Sequence, residues 1–282
     1  MIDLCNKMDV RIPRIVMQTS DDHNVPFKWI NSPSSIREYM PGWKYVYLTK
    51  DKYRDFVIKY FPDYLFFYDS LPYDIQKTNI ICFMWMYKVG GVYMSLNYEV
   101  VKTLDSLFNN GHEGVYFVPS AKDSKWYTNS FLAARPQCPI FLECLEEMKK
   151  ITPWWCLDRR SKILYSTGSG MLSRVLKNTK TPFNIISSYD IPACSVCENV
   201  CDSPNAYIRK IADDSWDEWD TYFYNVFYCN WKKLVALIIT IIVISYVYYI
   251  YNQPKREIYT KKSSKKKRHI NIDGWKLKTE EL

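Results

Sequence analysis

Three groups of residues in this chain have the types and spacing to do chemistry. Ser95-Leu96-Asn97 closes the stretch Asp69–Val100, and Asn97 and Glu99 point to the same side of an extended strand. Oxygen donors on one side of a strand are what a hard cation takes, and Asp213 or Asp214 would add a carboxylate to that set. Arg209-Lys210 places two cations side by side. Cys194-x2-Cys197-x3-Cys201 has the spacing of half a zinc site or of a disulfide cluster. A zinc site needs a fourth ligand, and His23, His112 and His269 sit at no partner spacing, so a disulfide within the cluster or plain buried thiols is the favoured reading.

The elements that must position these groups are legible around the first of them. Ile75, Ile81, Met84 and Trp85 recur at helical spacing, and the second half of Tyr73–Val89 is dominated by apolar residues. The spacing predicts a helix buried on more than one side. Gly90-Gly91 ends it where φ > 0 is required. Val92–Met94 has strand character and delivers Ser95 and Asn97 to a sheet rim, where ligands sit in open α/β sheets. Upstream, the pattern predicts strands over 12–19 and 43–48 and helices over 34–40 and 50–61. Downstream it predicts a helical turn at 104–108, strands at 114–119, 129–135, 183–187 and 206–211, and helices over 140–151 and 170–178. Strands alternating with helices give an α/β class with a mostly parallel sheet.

Composition narrows the function classes. The 282 residues are 48% hydrophobic and 17% aromatic, enough for a sizeable core. The net charge is +8, but residues 255–282 hold ten Lys/Arg against four Asp/Glu, leaving only +2 for the rest. The basicity belongs to the tail, which argues against a nucleic-acid-binding face on the domain. Leu234–Tyr251 contains eighteen uncharged residues, about 27 Å of helix. Trp231 flanks one end and Tyr246, Tyr248, Tyr249 and Tyr251 the other, as in an aromatic belt. Lys261–Arg268 then reads as a polybasic segment against anionic lipid. The expected organisation is a domain over 1–230, a transmembrane helix over 231–252 and a basic tail over 253–282.

Several blocks over about 10–230 resemble, in order, the glycosyltransferases with a DXD sugar-binding region, which include fungal α-1,6-mannosyltransferases and inositol phosphoceramide mannosyltransferases. The blocks are Met17-Gln18-Thr19-Ser20, Leu71–Asn97, Asn129–Pro136, Thr167-Gly168-Ser169-Gly170 and Ser215-Trp216. The resemblance implies a GT-A fold, one Rossmann-like domain that binds a nucleotide-sugar at the strand ends. It also implies Mn²⁺ held by the DXD carboxylates and a late His, acting as a Lewis acid on the departing diphosphate. Here Ser95-Leu96-Asn97 stands at the DXD, Asn79 at an upstream Asp, Cys82 at an Arg, Met17 at the first His and Arg209-Lys210-Ile211 at the late His element. Packing and turn letters remain: Pro72, Gly90, Gly91, Tyr93, Gly168 and Trp216.

Carried over residue by residue, the resemblance puts Gln18, Thr19, Asn79, Tyr93, Ser95, Asn97, Asn129, Arg135 and Gly168 around the nucleotide-sugar, and Ser95, Asn97, Arg209 and Lys210 at the reacting centre. No metal cofactor is expected, because the ligands are lost. Three readings follow. The chain is a hexosyltransferase of mannose type in which Arg209, Lys210 or Arg135 neutralises the diphosphate; or a pseudoenzyme that binds or scaffolds, supporting an active glycosyltransferase partner; or a transferase with a shifted metal set of Asn97, Glu99 and Asp213 or Asp214. Expected partners are a nucleotide-sugar, a lipid or glycan acceptor and a membrane. The positive-inside rule puts the tail in the cytosol and the domain in the lumen of the endomembrane system, with a tail-anchored cytosolic domain as the alternative.

Overall fold

A computed structural model describes residues 11–108, 114–120, 125–150, 154–192, 197, 200–201, 203–211 and 219–253. The chain divides into two units, Met1–Trp231 and Lys232–Leu282. The described elements of the first unit begin with β1 (Ile15–Ser20), α1 (Asn31–Tyr39), β2 (Lys44–Thr49), α2 (Tyr53–Tyr60), α3 (Leu65–Ser70) and α4 (Asp74–Lys88). They continue with β3 (Gly91–Met94), β4 (Tyr98–Val100), α5 (Asp105–Phe108), β5 (Val115–Pro119), β6 (Tyr127–Ala134) and α6 (Pro139–Met148). Then come α7 (Arg159–Ser166), α8 (Ser169–Asn178), β7 (Asn184–Ile185), β8 (Val200–Cys201) and β9 (Ile208–Ile211); the helix α9 (Trp219–Tyr251) follows.

Six strands form a sheet in the order β2-β1-β3-β6-β5-β7. β1 pairs in parallel with β2 and β3, and β5 with β7, whereas β6 is antiparallel to both β3 and β5. Five strands therefore run one way and β6 alone runs back, which is the α/β class with a mostly parallel sheet that the sequence predicts. Alternation along the strands supplies two cores. Met17, Tyr93, Leu132 and Phe117 face one core with α4, α6 and α8; Val16, Val92, Met94, Phe131 and Tyr116 face the other with Ile36 of α1 and Met40 just after it. A second sheet, β4-β9-β8, is antiparallel throughout.

α4 is the central helix, and every residue from Ile80 to Met86 is buried. Each large apolar side chain enclosed there stabilises the fold by about 1.5–3 kcal/mol. Gly90 and Gly91 have φ of +72° and +91°. At Gly91 a Cβ would lie 2.4 Å from the Ile15 carbonyl oxygen, and at Gly90 one would lie 2.7 Å from that of Ala134. The pair is required both for the turn and for the close approach of β1 and β6.

The structure corrects several boundaries. α3, α7, β4 and β8 are not predicted by the pattern. α7 carries a usable start signal, because the Asp158 carboxylate accepts from the Ser161 N–H at 2.8 Å. α9 begins at Trp219, well before the predicted span, and Tyr222–Tyr251 is long and apolar enough to cross a membrane. The cysteine reading also changes: Cys197 is bonded to Cys229 rather than within its cluster, and Cys201 is disulfide-bonded too. A zinc half-site using Cys197 is excluded. Cys194 and the basic tail lie outside the described residues.

Candidate functional site

β1 and β3 end, and β6 begins, at one edge of the main sheet, because β6 runs against its neighbours. Most of the predicted site residues gather there. The Ser95 N–H donates to the Ser130 carbonyl at 2.9 Å. The Thr19 and Tyr93 hydroxyls are 3.4 Å apart. Asn129 Nδ2 donates to Asn79 Oδ1 at 3.0 Å, and Asn79 Nδ2 donates to Thr167 Oγ1 at 3.2 Å. One turn earlier on α4, Gln76 Nε2 donates to Ser166 Oγ at 2.7 Å. Uncharged side chains thus stitch α4 to β6 and to the turn between α7 and α8. Gly168 sits in that turn, where its N–H donates to the Ile163 carbonyl at 3.0 Å. A Cβ there would lie 3.0 Å from Leu164 Cα, so the glycine serves close backbone packing.

Gln18 is fully buried and acts beneath the rim rather than on it. Its Oε1 accepts from the Tyr45 hydroxyl at 3.0 Å, and its Nε2 donates to Ser32 Oγ at 2.8 Å and to the Ser95 carbonyl at 3.3 Å. Ser32 Oγ in turn donates to the Tyr98 carbonyl. The chain Tyr45–Gln18–Ser32 clamps the turn that carries Ser95 and Asn97.

Asn97 joins the rim to the second sheet. Its carbonyl accepts from the Ile211 N–H at 2.8 Å, and its Nδ2 donates to the Ile211 carbonyl at 3.2 Å. Its Oδ1 is buried without a hydrogen-bond partner. Just beyond, Tyr98 pairs with Lys210 and Glu99 with Arg209. Arg209 Nη1 lies 3.9 Å from Glu99 Oε2, and Lys210 Nζ lies 5.7 Å from the Tyr98 ring centre. Two cations more than a hundred residues downstream are therefore brought beside Ser95-Leu96-Asn97 by cross-strand pairing.

Other expectations are not met in this way. Arg135 follows the last residue of β6, and its N–H donates to the Gly114 carbonyl. Ala134 pairs with Gly91, at the start of β3, so Arg135 stands at the opposite end of the sheet from Ser95, roughly 15 Å away along the strand. It is not brought to the rim, because β6 is antiparallel and its C-terminal end points away from it. Asp213, Asp214 and Ser215-Trp216 lie outside the described residues. Cys82 is buried beneath Thr19 and Tyr93, and burial pushes its thiol up to about 12. Burial also raises the Tyr93 phenol well above its usual range, helped by Cys82. Sequence reasoning missed Ser32 and Tyr45, which hold the candidate residues in place, and named Thr167 only as part of a matching block, not as the partner of Asn79.

The described donors do not make a divalent-cation site. Such an ion takes about six oxygen ligands, preferably carboxylates. Asn97 Oδ1 is a single neutral orphan, Glu99 faces Arg209, and no group of three His, Cys, Asp or Glu residues gathers among the described residues.

Residues 26–112, which contain Gly90-Gly91 and Ser95-Leu96-Asn97, match the family described as glycosyltransferase sugar-binding region containing DXD motif. The match covers this segment of the chain and not the remainder. The region nevertheless contains no Asp-x-Asp, and neither does the rest of the chain. Inositol phosphoceramide mannosyltransferase 1 of Schizosaccharomyces pombe is 27% identical over 210 residues, 73% of this chain and 62% of that protein. Mannosyl phosphorylinositol ceramide synthase SUR1 of Saccharomyces cerevisiae is 25% identical over 170 residues, 60% of this chain and 43% of that protein. The chain thus spans less than two thirds of the length of these relatives. Among solved structures, PaToxG glycosyltransferase matches with a TM-score of 0.42 at 14% identity, over 58% of this chain and 68% of that one.

Proposed function

We propose that the chain is a membrane-anchored hexosyltransferase of mannose type, which moves a sugar from a nucleotide-sugar to a lipid or glycan acceptor without the usual DXD-bound Mn²⁺. Ser95 and Asn97 stand at the DXD positions. The observation that carries the reading is the β4–β9 pairing, which sets Arg209 and Lys210 beside them. A sugar diphosphate leaves only when its negative charge is neutralised, and Arg and Lys supply that charge through charge-assisted hydrogen bonds. Asn79, Asn129 and Thr19 offer neutral donors and acceptors for the sugar and nucleotide, with Gln18 and Asn97 as positioning residues. The acceptor class follows the names of the relatives, which act on inositol phosphoceramide. The membrane anchor is α9, and the disulfide Cys197–Cys229 supports a domain in an oxidising lumen with the basic tail in the cytosol.

A second reading has its own observation. Asn97 and Arg209 both have partners within the fold, Ile211 and Glu99, as they would in a pseudoenzyme that keeps the scaffold for binding or for supporting an active transferase. Titration of the full chain with GDP- and UDP-sugars, with Mn²⁺ and with EDTA, separates the two. The transferase reading expects a thermal shift from a nucleotide-sugar and transfer or hydrolysis that survives EDTA. The joint variant Arg209→Ala/Lys210→Ala should lose more than tenfold in turnover, about 1.4 kcal/mol or more of transition-state stabilisation. Binding without turnover selects the pseudoenzyme, and strict Mn²⁺ dependence overturns the metal-free part of the proposal.

A further inference from the structure

Between α6 and α7 the chain presents Trp154 and Leu157, which are 88% and 80% exposed, with Trp155 half-exposed between them. Large apolar groups displayed to water in one short loop mark an interaction surface. The loop's C-terminal part is tied to α7. Trp155 packs edge-on against Tyr165 at 4.5 Å between ring centres, Cys156 is buried, and Asp158 caps α7. Basic residues follow the loop directly: Arg159, Arg160 and Lys162 open α7, whereas Lys149 and Lys150 before it are ion-paired with Glu146 and Glu147. The Arg160 guanidinium lies 4.2 Å from the Tyr224 ring in the opening turns of α9. Those turns expose Tyr222, Phe223, Tyr224, Phe227, Tyr228 and Trp231. The patch is thus continuous with an aromatic stretch of the composition found where helices meet headgroups.

We infer that the Trp154–Leu157 loop is a second membrane contact, which inserts its indoles and Leu157 into the headgroup boundary while the neighbouring cations meet lipid phosphates. Tryptophan suits that boundary because its ring is apolar and its N–H finds a polar partner there. Basic residues beside it add electrostatic attraction to phosphate-bearing lipid. The contact fixes the domain against the bilayer at a point other than α9. It rests on the proposal that α9 spans the membrane, and not on sugar transfer.

The test is hydroxyl-radical footprinting of the full chain in nanodiscs of phosphatidylcholine with and without phosphatidylinositol. Phe27 and Phe66, which are equally exposed, serve as unprotected references within the same molecule. Oxidation of Trp154 and Leu157 is expected to fall several-fold relative to those references, most strongly with phosphatidylinositol. In W154S/L157S, protection of Trp155 should be lost while Tyr246–Tyr251 stays protected. Full oxidation of Trp154 and Leu157 with Tyr246–Tyr251 protected overturns the inference and leaves the span standing. Oxidation of both overturns the span as well. Protection seen only in discs holding two copies assigns the loop to a second copy of the chain and likewise overturns it.

Discussion

Asn97 shows how a single residue can keep a fold and change its chemistry. Its amide donates to Ile211 and holds the second sheet against the rim, which a carboxylate cannot do. Asn97→Asp should therefore not restore a metal site. It should lose the hydrogen bond, set a buried charge against a carbonyl and destabilise the protein by about 2 kcal/mol or more. The measurement is the denaturation midpoint with and without Mn²⁺; a rise in stability specific to Mn²⁺ would reverse the argument. Residue types at the rim were legible in the sequence, since Ser95, Asn97, Asn79 and Asn129 could be read against the family's letters. Their partners were not. Gln18 looked like a ligand-facing residue, and only three-dimensional pairing reveals that Tyr45, Ser32 and Ser95 consume its hydrogen-bonding groups.

At the scale of elements, periodicity found what local chemistry dictates. α4, the Gly-Gly turn and β3 follow from apolar spacing and φ > 0, and the helical stretches of α2, α6 and α8 were equally legible. The short strands β4 and β8 were not, because two or three residues carry no period, and their existence depends on pairing with β9 from far along the chain. The direction of β6 was also illegible, and that is what misplaced Arg135. The turn offers the sharpest test. Gly91→Ala places a Cβ 2.4 Å from the Ile15 carbonyl at a φ of +91°. Left-handed strain of about 1–3 kcal/mol adds to the cost of pushing β1 and β3 apart. The variant should lose at least that much stability by chemical denaturation, whereas Gly42→Ala, with nothing within 4 Å of the added carbon, should change it far less.

For the whole molecule, the informative bond is covalent. Cys197 and Cys229 are 32 residues apart, and closing a ring of that size removes about 3–4 kcal/mol of unfolded-state entropy. Chain produced in an oxidising compartment should run faster on a non-reducing gel than after reduction, and Cys229→Ser should abolish part of that difference and lower the melting temperature. Protease added outside sealed membranes should spare the domain if it faces the lumen. The same ring has a consequence for release. β8, β9 and the first turns of α9 all lie inside it, so, with α9 as the proposed anchor, one peptide cut between Cys197 and Cys229 leaves the domain still joined to that helix. A soluble form that keeps β9 can be shed only by a cut beyond Cys229, or by a cut within the ring after β9 followed by reduction of the bond.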